Sequence, residues 1–155
     1  EVSMAASEEA SFEQINEALV NVFNNVVWIE EASLRESKFN DITIKDMHTI
    51  AAISMYETRT ASQVAEMVHL TPSAMTSVID KLVKKGYVER HRDDNDRRVV
   101  HLALTHNGRT VFRAHEAFHR GMAHSLFDSL SDDETEAVKK AVLNLQEYLH
   151  ELIQF

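Results

Sequence analysis

The chain has 155 residues, 44% hydrophobic and 26% charged, so it carries enough apolar side chain to bury a core and is not disordered by composition. It has no cysteine, which excludes disulfides, cysteine-ligated zinc and thiol nucleophiles but leaves open a metal site of histidines and carboxylates. The formal net charge of −9 argues against a nucleic-acid binder until it is divided by segment: residues 1–57 carry 11 acids and 3 bases, 58–109 carry 6 acids and 9 bases, and 110–155 carry 8 acids and 4 bases.

The middle third is therefore a basic island between two acidic flanks. Binding phosphate needs a local positive field, not a positive total; chance clustering is the other reading of charge alone. Only 3 glycines and 1 proline favour a mostly helical chain over a sandwich or barrel. No apolar run approaches the ~18–20 residues of a membrane span. Glu1–Ala10 has neither the basic nor the apolar part of a secretory signal, so a soluble cytoplasmic protein is expected.

Residues 8–35 read as one long helix, with Phe12, Ile15, Leu19, Val22, Phe23 and Val26 at helical spacing. Ser37–Thr43 is a short polar connection, and Ile44, Met47, His48, Ala51, Ile53 and Met55 suggest a second helix. Thr60 with Gln63 fits a capping box ahead of Ala61, Val64, Ala65 and Val68. After the joint His69-Leu70, Thr71 fits an N-cap and Pro72 the first helical position, where its missing N–H costs nothing. Ala74, Val78, Ile79 and Leu82 form that helix's buried face, and Gly86 fits its C-terminal cap. Two short helices joined this tightly are a helix-turn-helix pattern.

After Gly86 the period becomes two. Tyr87–Glu89 and Val99–Leu104 flank the polar run Arg90–Arg98, a β-hairpin with a charged tip. Thr105 caps a helix over 106–129. Ser131 with Glu134 caps a last one, lined by Val138, Val142, Leu145, Leu149 and Leu152. The expected fold is mainly α with a small β-hairpin wing: a winged helix-turn-helix over 40–105, with a helical dimerisation region formed by 8–36 and 106–155. A winged module of about 60 residues cannot cover these long apolar helices, so a two-fold homodimer is the simplest way to bury them.

On the helix 71–85, the face opposite its apolar side carries Ser73, Thr76, Ser77, Asp80, Lys81 and Lys84. Hydroxyls near a helix N-terminus suit bases or phosphates; an ordinary solvated face is the alternative. The hairpin tip offers Arg97 and Arg98 to an A·T-rich minor groove, with Asp96 orienting an arginine through its carboxylate. Asp93 and Asp94 read as turn-forming acids without a DNA contact.

Leu70–Thr76 (LTPSAMT), Lys85–Val88 (KGYV), Asp96–Arg98 (DRR) and Leu104-Thr105 resemble the MarR family of dimeric winged-helix repressors, and the likeness extends over nearly the whole chain. The resemblance implies that the helix 71–85 reads the major groove, that Arg98 enters the minor groove and that Asp96 positions it. Asn95 departs from the small residue or arginine that many members carry. Within the family, Asp41–Ile50 (DITIKDMHTI), Asp96–Leu102 (DRRVVHL) and Phe118–Arg120 (FHR) look most like the repressors of fatty-acid synthesis genes. That implies long-chain acyl-acyl carrier protein as co-repressor, with Phe23, Val26, Val27, Ile50, Met55, Phe112, Phe118 and Met122 as candidate pocket lining. Plain core packing is the alternative for each. Arg35, Lys38, Arg109, Arg113 and Arg120 are candidates for docking the acidic carrier.

Of the 9 histidines, His69, His91, His101, His106 and His150 fall in turns, the wing or the chain end. His115 and His119 stand four apart on one helix, within reach of one cation. Resemblance to the family's zinc-responsive members adds Glu30 and His48 to them, a set of the right types for a closed tetrahedral zinc site. A hydrogen-bonded histidine cluster without metal stays open. The second zinc site of those relatives is not reproduced, since its cysteine is absent and Met47 and Ala114 replace its acids. This leaves a zinc-responsive repressor of metal-uptake genes as the alternative function. No phosphate loop, nucleophile elbow or nucleophile–base motif appears, and four protein ligands would leave zinc no open position for water, so an enzyme is not expected.

Overall fold

Side-chain caps set most element boundaries in the structure, a computed structural model that describes residues 2–153. The first helix, α1, runs Val2–Glu36. It stops where the Ser37 hydroxyl donates to the Leu34 carbonyl (2.8 Å) and accepts the Phe39 N–H (3.0 Å). The second, α2 (Ile44–Ile53), opens on a box in which Thr43 Oγ1 accepts the Asp46 N–H (3.1 Å) and Asp46 accepts the Thr43 N–H (2.9 Å). It ends before Met55, because Ser54 turns to a φ of 68°.

Strand β1 (Arg59–Thr60) leads into α3 (Ala61–Met67) through the Thr60–Gln63 box. His69 takes a left-handed φ of 58°, and Leu70 N–H reaches back to the Ala65 carbonyl at 2.9 Å, closing the tight joint. Then α4 (Pro72–Lys84) starts on the Thr71 cap with Pro72 in its first turn. Gly86, at φ 86°, ends it and feeds β2 (Val88–Arg92), which pairs with β3 (Val100–Leu104). Helices α5 (His106–Leu126) and α6 (Asp132–Ile153) follow, and α6 opens on the Ser131–Glu134 box. Sequence periodicity carried α5 to 129, but the chain turns earlier, with Ser129 at φ 61°.

The sheet is antiparallel in the order β1-β3-β2, with Val88 opposite Leu104, Arg92 opposite Val100, and Arg59 opposite Leu102. Because β1 is two residues long, it has no period that the sequence could display.

The chain divides into two compact units, 1–112 and 113–155. In the first, Ile50, Ile53, Val64, Met75, Ile79 and Leu82 are almost fully buried with Val88 and Leu102, and each such side chain stabilises the fold by roughly 1.5–3 kcal/mol. Met75 is buried more deeply than Ala74, the residue expected there, so the inward face of α4 is rotated slightly from the sequence reading. At the wing's root, Thr105 Oγ1 donates to the Gly86 carbonyl (2.6 Å) and accepts the Gly108 N–H (3.2 Å). Gly108 lies against the Tyr87 carbonyl; a Cβ there would come within 2.1 Å of that oxygen. In the second unit, α6 buries no residue, although one of its faces is apolar. Among the described residues, no helix is long and apolar enough to cross a membrane.

Candidate nucleic-acid interface

The cap that starts α4 also aims its first turn. Thr71 Oγ1 accepts the Ala74 N–H (3.2 Å), and with Met75, Ile79 and Leu82 buried, Ser73, Thr76 and Ser77 are left exposed on the outer face. The Thr76 and Ser77 hydroxyls donate back to the carbonyls of Pro72 (3.0 Å) and Ser73 (3.4 Å). Their oxygens keep lone pairs for a ligand, and the hydroxyls turn with little cost.

The charged residues of α4 have distinct partners. Asp80 pairs with Arg90 of β2. Lys81 Nζ lies 2.6 Å from the buried Asp46 carboxylate on α2. Lys84 is exposed on the last turn. Just beyond, Lys85 donates to the Asp41 carbonyl, and the Tyr87 hydroxyl donates to Asp41 Oδ1 (2.6 Å). Burial, then that hydrogen bond, pushes the Tyr87 phenol above its ordinary range, so it remains a donor. These contacts fix the second half of α4 and the strand after it to the α1–α2 turn.

On the wing, Asp96 accepts the Arg98 N–H (3.0 Å), Nε (3.1 Å) and Nη2 (3.2 Å). The carboxylate therefore holds a guanidinium that is 90% exposed. The Arg98 hydrogen bonds keep the Asp96 carboxyl below the usual carboxylate range. Arg92 donates to the Arg97 carbonyl at 2.8 Å, and the Arg97 side chain is exposed. Asp94 is exposed at the tip. Asp93, expected to do no more than turn the chain, accepts Nε2 of His101 across the hairpin at 3.0 Å. Between α4 and the wing lies a cleft of about 660 Å³, lined by Met75, Thr76 and Ile79 on one side and by Arg90, Arg92 and Arg98 on the other. Hydroxyls, a helix N-terminus and three guanidiniums thus border one groove, a set of donors matched to a polyanion.

The eight candidate pocket residues are spread out. Ile50 and Phe112 belong to the core, with Phe112 edge-on to Tyr56 at 5.4 Å. Val27 lines a cleft of about 580 Å³ with Leu34, Arg35, Ile42 and Ile44, and Met55 lines another, of about 530 Å³, beside His101 and Arg109. Phe23 is exposed, Val26 half-buried, and Phe118 and Met122 are half-buried in the second unit. Of the basic docking candidates, Lys38 lies 5.2 Å from the Phe39 ring and Arg109 donates to the Leu104 carbonyl, while Arg113 and Arg120 are exposed in the second unit.

Within each unit, two of the candidate metal ligands meet. In the first unit, buried Glu30 accepts Nε2 of His48 at 3.1 Å. In the second, the His115 and His119 rings lie 4.3 Å apart. A carboxylate oxygen and an imidazole nitrogen at that separation suit either a hydrogen bond or two ligands of one zinc.

Comparison with known proteins agrees with this geometry. The MarR family model matches residues 42–100. The chain is similar to Streptococcus pneumoniae FabT, solved in complex with DNA: 43% identical, TM-score 0.80, covering 91% of this chain and 99% of that one. It is also similar to the uncharacterised regulator YfiV of Bacillus subtilis, 32% identical over 63% of this chain and 61% of the relative. The repressor MprA of Escherichia coli is 33% identical over 51% of this chain and 45% of the relative. The chain thus spans about half to three-fifths of these curated relatives.

Proposed function

Because the chain belongs to the MarR family of DNA-binding transcriptional regulators, we propose that it is a homodimeric repressor of fatty-acid synthesis genes and that long-chain acyl-acyl carrier protein strengthens its grip on the operator. The observation that carries the DNA half of this reading is the groove between α4 and the wing, bordered by Arg90, Arg92, Arg98 and the hydroxyl face of α4. In this reading Ser73, Thr76 and Ser77 meet the major groove, Lys84 and Arg97 meet phosphates, and Arg98, steadied by Asp96, enters the minor groove. Lys81 sets the pose of α4 through Asp46 and contributes to the positive field. Two copies bring their α4 helices about 34 Å apart, one turn of duplex. The exposed apolar faces of α1 and α6 supply the dimer seam.

The co-repressor half rests on the resemblance of 41–50, 96–102 and 118–120 to the fatty-acid repressors and on the likeness to FabT. Val27, Leu34, Ile42 and Ile44 offer apolar surface, with Arg35 and Lys45 at the same cleft to meet an acidic carrier. Mobility-shift titration of operator duplex tests this. Affinity should rise with long-chain acylated carrier protein, not with the unacylated carrier, and should ignore chelators.

A zinc-responsive repressor is the second reading, favoured by the Glu30–His48 contact and the adjacent rings of His115 and His119. The donor types, one carboxylate and three imidazoles, fit a closed tetrahedral zinc set. Here operator affinity should follow free Zn²⁺ and be lost on Glu30→Gln or His119→Ala. No enzyme chemistry is part of either reading.

A further inference from the structure

The wing holds a second carboxylate contact that the operator reading leaves unused. Asp93 follows β2 directly. Its Oδ2 accepts the N–H groups of Asn95 and Asp96, both at 2.9 Å, and its Oδ1 accepts Nε2 of His101 at 3.0 Å. The Asp93 N–H donates to the Val99 carbonyl, and the Val99 N–H to the Asp96 carbonyl, both at 3.0 Å. Asp96 in turn grips Arg98. A relay therefore runs from His101 through Asp93 and the Asp96 backbone to the Arg98 guanidinium.

The anchor end of the relay is stiff. His101 sits on β3, the central strand, opposite His91 of β2 and Thr60 of β1. The tip between the strands has no ladder to fix it, so its shape depends on these side-chain acceptors. His101's hydrogen bond, then the two backbone donors, hold the Asp93 carboxyl below its ordinary range, so at neutral pH it is the anion that such donors bind best.

We propose that His101 and Asp93 are positioning residues for the wing arginine: they set the turn that points Arg98 into the minor groove and touch no base themselves. The proposal rests on the operator reading above and deepens it. A hairpin braced only for stability would lose melting temperature without altering how the protein discriminates between duplexes.

The test uses the full chain and a duplex of about 30 bp, long enough for two half-sites one turn apart, enriched by the unsubstituted protein from a randomised pool. A second copy of that duplex has G·C in place of A·T where the wings lie. Asp93→Ala should weaken binding about three- to tenfold and narrow the difference between the two duplexes. In an Arg98→Ala background it should have no further effect. His101→Gln, whose amide donates in place of Nε2, should keep the affinity, whereas His101→Leu should match Asp93→Ala. This histidine pair interrogates the relay from its other end should Asp93→Ala fail to fold. Equal losses with and without Arg98, or unchanged affinity in both Asp93→Ala and His101→Leu, overturn the proposal. If the unsubstituted chain enriches no duplex, the operator reading itself falls, and the positioning role with it.

Discussion

Lys81 on the outward helix α4 and Asp46 on α2 meet at 2.6 Å, and the Asp46 side chain is only 4% exposed. The carboxylate does two things at once: it completes the Thr43 capping box and it receives the lysine. Asp46→Ala should cost about 2 kcal/mol, from the lost cap and the stranded donors. Lys81→Met should cost less, since the Asp46 carboxylate still accepts the Thr43 N–H that caps α2. Chemical denaturation would show this as a lower midpoint at unchanged slope. Equal stability of Asp46→Ala and the parent would mean that the strut carries no load.

The bases of the interface should separate by salt dependence. If Lys84 meets a phosphate as proposed, Lys84→Ala should shrink the slope of log affinity against log salt by about 0.9. Arg98→Ala should shrink it similarly and also relax the preference for A·T at the wing sites. Arg98→Lys should restore most of the slope without restoring the preference, because an ammonium lacks the planar fork that Asp96 orients. Fluorescence anisotropy at several salt concentrations reads both quantities. Full preference in Arg98→Lys would locate sequence reading elsewhere.

Much of this architecture was legible because caps are local. Thr60 with Gln63, Thr71 with Pro72, and Ser131 with Glu134 each declare a helix start within four residues, and all three are present. The Thr43–Asp46 box is just as local but was read as the end of a polar connection, since Asp replaces the usual Glu or Gln at its third position. The pairs Lys81–Asp46, Tyr87–Asp41 and His101–Asp93 could not be read. Their members lie on different elements, and only the tertiary fold decides which charged residues face each other. The Asp96–Arg98 contact spans two residues and was therefore foreseeable. No effector pocket could be assembled from periodicity, because a helical stripe of apolar residues looks the same whether it meets core, ligand or a second chain.

Wing order should respond to acid. The Asp93 carboxyl is held low chiefly by His101, and that of Asp96 chiefly by Arg98. A carboxyl depressed in the folded state adds stability that is present above its unfolded value, about 4, and is lost as pH falls through its folded value. The amide signals of Asn95, Asp96 and Arg98 should therefore move as pH falls below about 4. Asp93→Asn should abolish the Asn95 part of that movement. Signals that do not move below about pH 4 would contradict this assignment.

Gly108→Ala reverses the usual helix rule. In an exposed helix interior, alanine would gain about 1 kcal/mol over glycine. Here the new methyl meets the Tyr87 carbonyl, a backbone atom that cannot swing aside. The same carbonyl accepts the Thr105 N–H at 3.1 Å, so displacing it also loosens the wing's root. A loss of about 1–3 kcal/mol is expected, as for other overpacked sites, and thermal melting would measure it. A stabilised Gly108→Ala would show that α5 shifts freely away from the wing.

Dimer formation gives the last expectation. On α1, Phe12 (59%), Ile15 (60%), Leu19 (48%) and Phe23 (68%) stand exposed at helical spacing; on α6, so do Val142 (46%), Leu145 (41%), Leu149 (48%) and Leu152 (45%). Apolar stripes of this length rarely stay in water, and on identical chains a two-fold axis buries both copies of each. None of these residues belongs to the core around Ile50, Met75 and Leu82. Leu145→Asp with Leu149→Asp should therefore yield a monomer whose winged module still folds, seen as a halved mass in sedimentation equilibrium with wing and α4 signals retained. Losing the second half-site should cut operator affinity by roughly 10²-fold or more, because the linked second contact is gone. Phe23→Asp should act in the same direction from α1. A dimer that survives both sets of charges would place the seam on other surfaces and leave these stripes without an explanation.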